Sequence, residues 1–235
     1  MMKAYTLIFA LFFSFCSFAN NIIINGTRFI FSSDDKEITI NMTNLADRPA
    51  IAQAWLDNGD PKEAPGTIIV PFQISPPVAR VEAKAGQALR IKLIDKDSLP
   101  TDRESLWWLN ILDIPPMNKV EDEKDKNTLQ LAIRSRFKFI YRPINLGKPE
   151  LAVGQLIFKT NGKKLTINNP TPFFITITKI AENHNYLYLN SSAIMLAPKS
   201  TKTIQLDKIL KHGETLIIDN INDYGSIKVN KIIVK

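Results

Sequence analysis

Cysteine is almost absent from this chain: among 235 residues only Cys16 is one. It lies in an apolar run near the start, so no disulfide pairing is open to the rest, and a small disulfide-stapled secreted scaffold is excluded. Histidine is nearly missing too, with only His184 and His212. Both sit in turn-like contexts, and neither has the spacing of a metal-ligand pair. There is no Gly-rich phosphate loop and no G-x-S-x-G elbow, which argues against nucleotide-dependent or triad chemistry. Beyond the first residues no apolar run is long enough to cross a membrane. Helix-forming stretches are also scarce, because proline and β-branched residues recur throughout.

What is present begins with an address. Met1, Met2 and Lys3 make a short positive start, residues 6–18 are nearly continuous apolar sequence, and Ser17 and Ala19 supply small residues at the −3 and −1 positions. This pattern reads as a secretory signal over residues 1–19, cut after Ala19. The apolar run, about 13 residues, falls short of the roughly 20 that a span needs. Cys16 leaves with it. A lipoprotein reading of Cys16 is poor, because Phe13 and Phe15 stand where smaller residues are wanted. The net charge of +7 suits an anionic partner. Export sets nucleic acid aside, even though the basic, aromatic run 134–142 would suit it.

The remaining sequence reads as strand after strand. Apolar or alternating runs occur at 22–24, 27–31, 38–41, 51–56, 68–70, 88–94, 106–112 and 129–141. A second set occurs at 155–159, 165–167, 173–180, 186–189, 203–206, 215–218 and 226–234. Turn residues separate them, as in Ser32, Ser33, Asp34 and Asp35. Asp57, Asn58, Gly59 and Asp60 read as a hairpin turn rather than a calcium loop. Glu121 to Asn127 is a charged run without an apolar residue and reads as a solvated, mobile loop. Strands this short and numerous predict an all-β protein of two immunoglobulin-like sandwiches. The predicted domains are 20–143 and 144–235, joined by a proline-stiffened hinge near Arg142, Pro143, Gly147 and Pro149.

The richest segment is 129–143. Leu129, Leu131 and Ile133 are two apart and project to one side of a strand. The segment then turns basic through Arg134, Arg136, Lys138 and Arg142 and stops at Pro143. A strand with aliphatic teeth and a cationic end is built to join another protein's sheet and hold an acidic group. That is a binding design. Trp55, Trp107, Trp108 and the phenylalanines read as core, with at least one tryptophan of Trp107 and Trp108 partly exposed by alternation.

Several ordered motifs now carry a resemblance. They are Gly26, Thr27 and Arg28 with Ile30; Gln53, Ala54 and Trp55; Ser75, Pro76 and Pro77; and Asp102, Arg103, Glu104 and Ser105 leading to Trp108, Leu109 and Asn110. They continue with Ile114, Pro115 and Pro116; the 129–143 strand; Asn169, Pro170, Thr171, Pro172 and Phe173; Met195 to Pro198 with Ser200; and Ile221, Asn222, Asp223, Tyr224 and Gly225. The chain resembles the PapD-like periplasmic chaperones of the chaperone–usher pathway over nearly its whole mature length. The resemblance implies two immunoglobulin-like sandwiches set as a boomerang, and a protein that holds pilus subunits in the periplasm and hands them to an outer-membrane usher.

It also implies roles for particular residues. Leu129, Leu131 and Ile133 would fill pockets in the open groove of a subunit, Arg28 and Lys138 would anchor its C-terminal carboxylate, and Glu104, Arg142 and Asp223 would join the two domains by charge. The short loop 117–128 is similar to that of the branch serving rod-like pili. No enzyme activity, cofactor, metal or membrane insertion is implied, and the sequons at Asn25, Asn41 and Asn190 read as chance in a bacterial protein. The exposed aliphatics leave room for self-association of the free chaperone. Lys138 is five residues after Ile133, hence on the opposite side of a regular strand; twist, a bulge or the cleft's own shape must bring it to the carboxylate.

A secreted structural or adhesive pilus component is the other reading. Such a subunit needs an alternating apolar extension ahead of its first strand. Here only Asn20 and Asn21 precede Ile22, which favours the chaperone.

Overall fold

The computed structural model describes residues 22–65, 67–116, 131–182, 185–188, 193–206 and 208–235. The leader, the 117–128 loop, Leu129, His184 and the Asn190 sequon lie outside the described residues.

Nine strands build the first sandwich: β1 (Ile22–Ile24), β2 (Arg28–Ser32), β3 (Glu37–Asn44), β4 (Ala50–Asp57), β5 (Phe72–Ser75), β6 (Val78–Val81), β7 (Gly86–Leu93), β8 (Ser105–Ile114) and β9 (Ile133–Arg142). One sheet runs β1-β3-β7-β5 and the other β2-β9-β8-β4-β6. Alternation decides what lies between them. Ala50, Ala52, Ala54 and Leu56 of β4 face inward with Phe31, Leu109, Phe139 and Tyr141. Small residues on β4 leave room for the aromatic rings opposite, where Phe72 meets Phe139 edge-on at 4.9 Å and Trp107 at 5.1 Å.

Two short 3₁₀ turns (Pro149–Leu151 and Val153–Gln155) lead into the second sandwich: β10 (Ile157–Asn161), β11 (Lys164–Asn169), β12 (Ile175–Glu182), β13 (Asn185–Tyr188), β14 (Ile194–Leu196), β15 (Ser200–Gln205), β16 (Thr215–Ile221) and β17 (Ile227–Ile233). Its sheets are β10-β11-β15 and β13-β12-β16-β17, with β14 also on β12. Phe158, Leu165, Ile167, Ile180, Leu216 and Ile218 centre a separate core. Among the described residues no helix is long and apolar enough to cross a membrane.

Two expectations are corrected. The apolar run 68–70 is loop, with Ile69 93% exposed, and the chain instead forms β5 and β6 on either side of Pro76 and Pro77. The Asp57 turn does not close a hairpin, because β4 pairs with β6 and β8 while the chain crosses to β5 in the other sheet. The tryptophans meet the alternation: Trp107 joins the core, Trp55 is buried on the outer face of the five-stranded sheet, and Trp108 on the same face is the partly exposed one, the latter two beneath guanidinium groups.

Candidate functional site

β9 has two different halves. From Lys138 to Arg142 it pairs in parallel with β2, while β8 covers its other edge along the whole strand from Ile133. Among the described residues, 133–137 therefore have β8 on one side and no strand on the other. An unpaired edge offers backbone donors and acceptors to an incoming strand. On the inward face, Phe137, Phe139 and Tyr141 enter the core, and the same row runs out through Ile133, 45% exposed, to Leu131, 66% exposed. Leu131 precedes the paired region, so the regular strand begins two residues later than that apolar tooth.

The even residues of β9 occupy the outer face, and here the parity of Lys138 is resolved. Neither the β8–β9 nor the β2–β9 ladder shifts register. Lys138 reaches the second domain because the outer face itself turns toward it. Lys138 Nζ donates to Thr176 Oγ1 of β12 at 2.5 Å, and Ile140, on the same face, is buried. A bulge is not needed.

The parallel ladder sets Arg28 directly opposite Lys138. Arg28 donates to the carbonyl of Ile221 at 3.2 Å, while its buried Nε finds no acceptor among the described residues. Neither cation forms an ion pair with a described carboxylate. Burial, with the neighbouring Arg28 charge adding, lowers the Lys138 ammonium to about 8; burial likewise lowers Arg28. Two adjacent, half-dry cations with spare donors make a receptor for an acceptor-only anion such as a carboxylate. Arg28 and Arg142 line the cleft between the domains together with Phe173, Ile221, Asp223 and Tyr224.

Two carboxylates at the domain boundary, Glu104 and Asp223, are already engaged. Arg142, the last residue of β9, donates to Glu104 at 2.6 Å and forks onto Asp223 at 2.6 and 3.0 Å. Both partners are delivered by local design. Asn169 accepts from the backbone and hydroxyl of Thr171, and Thr171 accepts from the Phe173 amide. This locked turn offers the Pro172 carbonyl to the Glu104 amide at 2.9 Å and the Phe174 amide to the Glu104 carboxylate at 2.6 Å. In the turn carrying Asp223, Asn222 accepts from Tyr224 and Ser226. Gly225 sits there at φ +81°, where a Cβ would lie 2.5 Å from the Thr27 hydroxyl, so the position needs glycine for both reasons.

Glu104 is 3% exposed, and burial pushes its carboxyl up against the pull of Arg142 and the Phe174 amide. Glu104→Ala leaves the Phe174 amide and Arg142 Nε without acceptors. It is expected to cost about 2–4 kcal/mol in urea unfolding. A loss below about 1 kcal/mol would show that the cluster is not a structural tie.

Arg134 and Arg136, alternatives to Lys138 by parity, are committed elsewhere. They pair with buried Asp57, one stacked over Trp55 and the other over Trp108. Sequence reasoning missed this cluster, because Asp57 and Asn110 meet the arginines only through strand order. Among the described residues no three His, Cys, Asp or Glu side chains form a metal site.

Two sandwiches with a cationic cleft between them, and an open apolar strand leading into it, define a protein-binding module. Its relatives agree. Residues 21–147 match the family model described as "Pili and flagellar-assembly chaperone, PapD N-terminal domain", and residues 151–231 match "Pili assembly chaperone PapD, C-terminal domain". The chaperone protein MrkB of Klebsiella pneumoniae is 52% identical over 234 residues, covering 100% of both chains. The crystal structure of the Pseudomonas aeruginosa CupB2 chaperone superposes with a TM-score of 0.75 at 34% identity, covering 91% of this chain and 100% of that one. The SafB chaperone of Salmonella enterica, solved in complex with the SafA pilin, gives 0.77 at 28% identity, covering 93% and 99%. The chain belongs to the PapD family of pilus-assembly chaperones.

Proposed function

We propose that this chaperone is exported by its leader to the periplasm, lends β9 to unfinished pilus subunits, and passes them to an outer-membrane usher. A sandwich lacking a strand exposes an apolar groove and unpaired backbone. Residues 131–137 supply a strand for it, with Leu131, Ile133 and, ahead of them in sequence, Leu129 entering successive pockets. Each buried aliphatic contributes roughly 1.5–3 kcal/mol before ordering costs. Arg28 and Lys138 hold the subunit's terminal carboxylate, which fixes the register of the added strand. Glu104, Arg142 and Asp223 keep the two domains at the angle this requires.

The observation that carries the reading is the continuity of the site: an edge of β9 left open among the described residues, with exposed Leu131 and Ile133, runs toward the adjacent cations Arg28 and Lys138, which form no ion pair with a described carboxylate. The SafB relative, solved with a pilin bound, supports it. Co-expression with a cognate subunit and osmotic release of the periplasm is the test. A soluble 1:1 complex is expected; recovery of the subunit only as aggregate, whether or not the chaperone is present, would refute the reading.

The cations make a second prediction. Below pH 8 Lys138 is charged both free and bound, so affinity for the carboxylate is flat with pH. A bound anion raises the ammonium back toward its ordinary 10.5, so binding takes up a proton above about pH 8 and weakens as pH rises, by at most about tenfold per pH unit. Titration calorimetry between pH 6.5 and 9.5 reads this slope. A subunit amidated at its C-terminus is expected to show none.

A further inference from the structure

The outer face of the open half of β9 has no part in the lending of that strand. There, at the end of β4, the Asp57 side chain is wholly buried. Its Oδ1 accepts from Arg136 at 2.7 Å and from the Gly59 amide at 2.7 Å. Its Oδ2 accepts from Asn110 at 2.7 Å, Arg136 at 2.9 Å and Arg134 at 3.2 Å. Asn110, equally buried on β8, turns its Oδ1 to the Nε of Arg134 at 2.8 Å and of Arg136 at 3.2 Å. Arg134 also donates to the Pro61 carbonyl at 2.6 Å. The two guanidinium planes then close over Trp55 at 4.8 Å and Trp108 at 4.9 Å.

This clamp holds the stretch of β9 that has no second strand beside it among the described residues. A strand half paired on one side frays more readily than its doubly paired continuation. Two arginines two residues apart, tied to one buried carboxylate on β4, reach across β8 and fix residues 134 and 136 in extended conformation. The teeth on the opposite face, Ile133 and Leu131, stay free.

We infer that Asp57 is a positioning residue for subunit capture: through Arg134 and Arg136 it keeps residues 133–137 extended before any subunit arrives. The inference rests on the lending of β9. It adds that part of the ordering cost of binding is met in the free chaperone, which speeds association rather than slowing release.

Amide hydrogen exchange of the free chaperone tests the first half, with Asp57→Asn and the double variant Arg134→Gln, Arg136→Gln. Two variants are used because Asp57→Asn leaves two arginines without their counter-charge and tests folding as well. In each folded variant exchange over 133–137 is expected to quicken at least tenfold, with Phe139 to Tyr141 and the second domain unchanged. Stopped-flow capture of a subunit tests the second half: association is expected to slow about three- to tenfold, with dissociation within twofold of wild type. Failure of both variants to fold, unchanged exchange at 133–137, acceleration spread evenly over the sandwich, or unaltered association would each overturn the positioning role. Wild-type capture that leaves 133–137 unprotected would remove the lending of β9, and the positioning role with it. Failure confined to the variants would remove the positioning role alone.

Discussion

Lys138→Ala is expected to abolish recovery of subunit complexes while the chaperone stays folded, and Arg28→Ala is expected to do the same. The two side chains stand opposite each other in a parallel ladder, half-buried, with spare donors and no ion pair to a carboxylate among the described residues. Removing one partner of a desolvated charge pair costs about 2–5 kcal/mol of binding, or roughly 30-fold to several thousand-fold in affinity. The effect on folding has the opposite sign. Burial depresses the Lys138 ammonium to about 8, so the free protein spends stability keeping it charged at neutral pH, and regains it as pH climbs from about 8 toward the unfolded value near 10.4. Lys138→Met in the subunit-free protein is therefore expected to raise stability by about 1–2 kcal/mol at pH 7, once residual solvent screening is allowed for. Urea denaturation of the free variant, beside pull-down of co-expressed subunit, reads both signs. A variant that unfolds, or one that still captures normally, would remove the anchor role.

Leu131→Asp is expected to have an effect as large by a different route. Leu131 is two-thirds exposed in the free chaperone, so the substitution costs the fold almost nothing. In a subunit groove the leucine contributes roughly 1.5–3 kcal/mol, and an aspartate there leaves an unpaired charge in an apolar pocket, at a further cost of several kcal/mol. Affinity is expected to fall about a thousandfold or more with an unchanged melting temperature. Leu131→Ile, which keeps volume and apolarity, is expected to retain capture. Equal capture by Leu131→Asp and wild type would show that this residue does not enter the groove.

The fold was legible wherever alternation was long and clean. β3, β4, β7, β8 and most of β9 stand within a few residues of the sequence-based expectation, because one face of each enters a core. β5 and β6 were not legible: each is four residues long, they flank two prolines, and the neighbouring run 68–70 is the more apolar of the two signals. Ile68 and Val70 line a groove over Trp55 rather than joining a ladder.

The site divides the same way. The odd row of β9 and the outward turn of Lys138 follow from period two. The partnership of Arg28 with Lys138 does not: it depends on a parallel pairing between strands more than a hundred residues apart, and only the family resemblance pointed to it. The structure brings Glu104, Arg142 and Asp223 within hydrogen-bond distance across the domain boundary. Asp57 misled for a related reason. In sequence it belongs to an Asp-Asn-Gly-Asp turn, and a solvated turn is what that composition ordinarily makes. Its burial comes from Arg134 and Arg136, which reach it across β8 and appear in sequence only as surface bases. Alternation did anticipate one partly exposed tryptophan, Trp108, but not the guanidinium groups stacked over it and over buried Trp55.

The most direct measurement is the crystal structure of this chaperone bound to one of its subunits. The account predicts residues 131–137 running as an added strand in the subunit's sheet, Leu131 and Ile133 seated in its groove, and the subunit's terminal carboxylate within hydrogen-bond distance of Arg28 and Lys138. A complex in which that groove is empty and β9 keeps its open edge would contradict it.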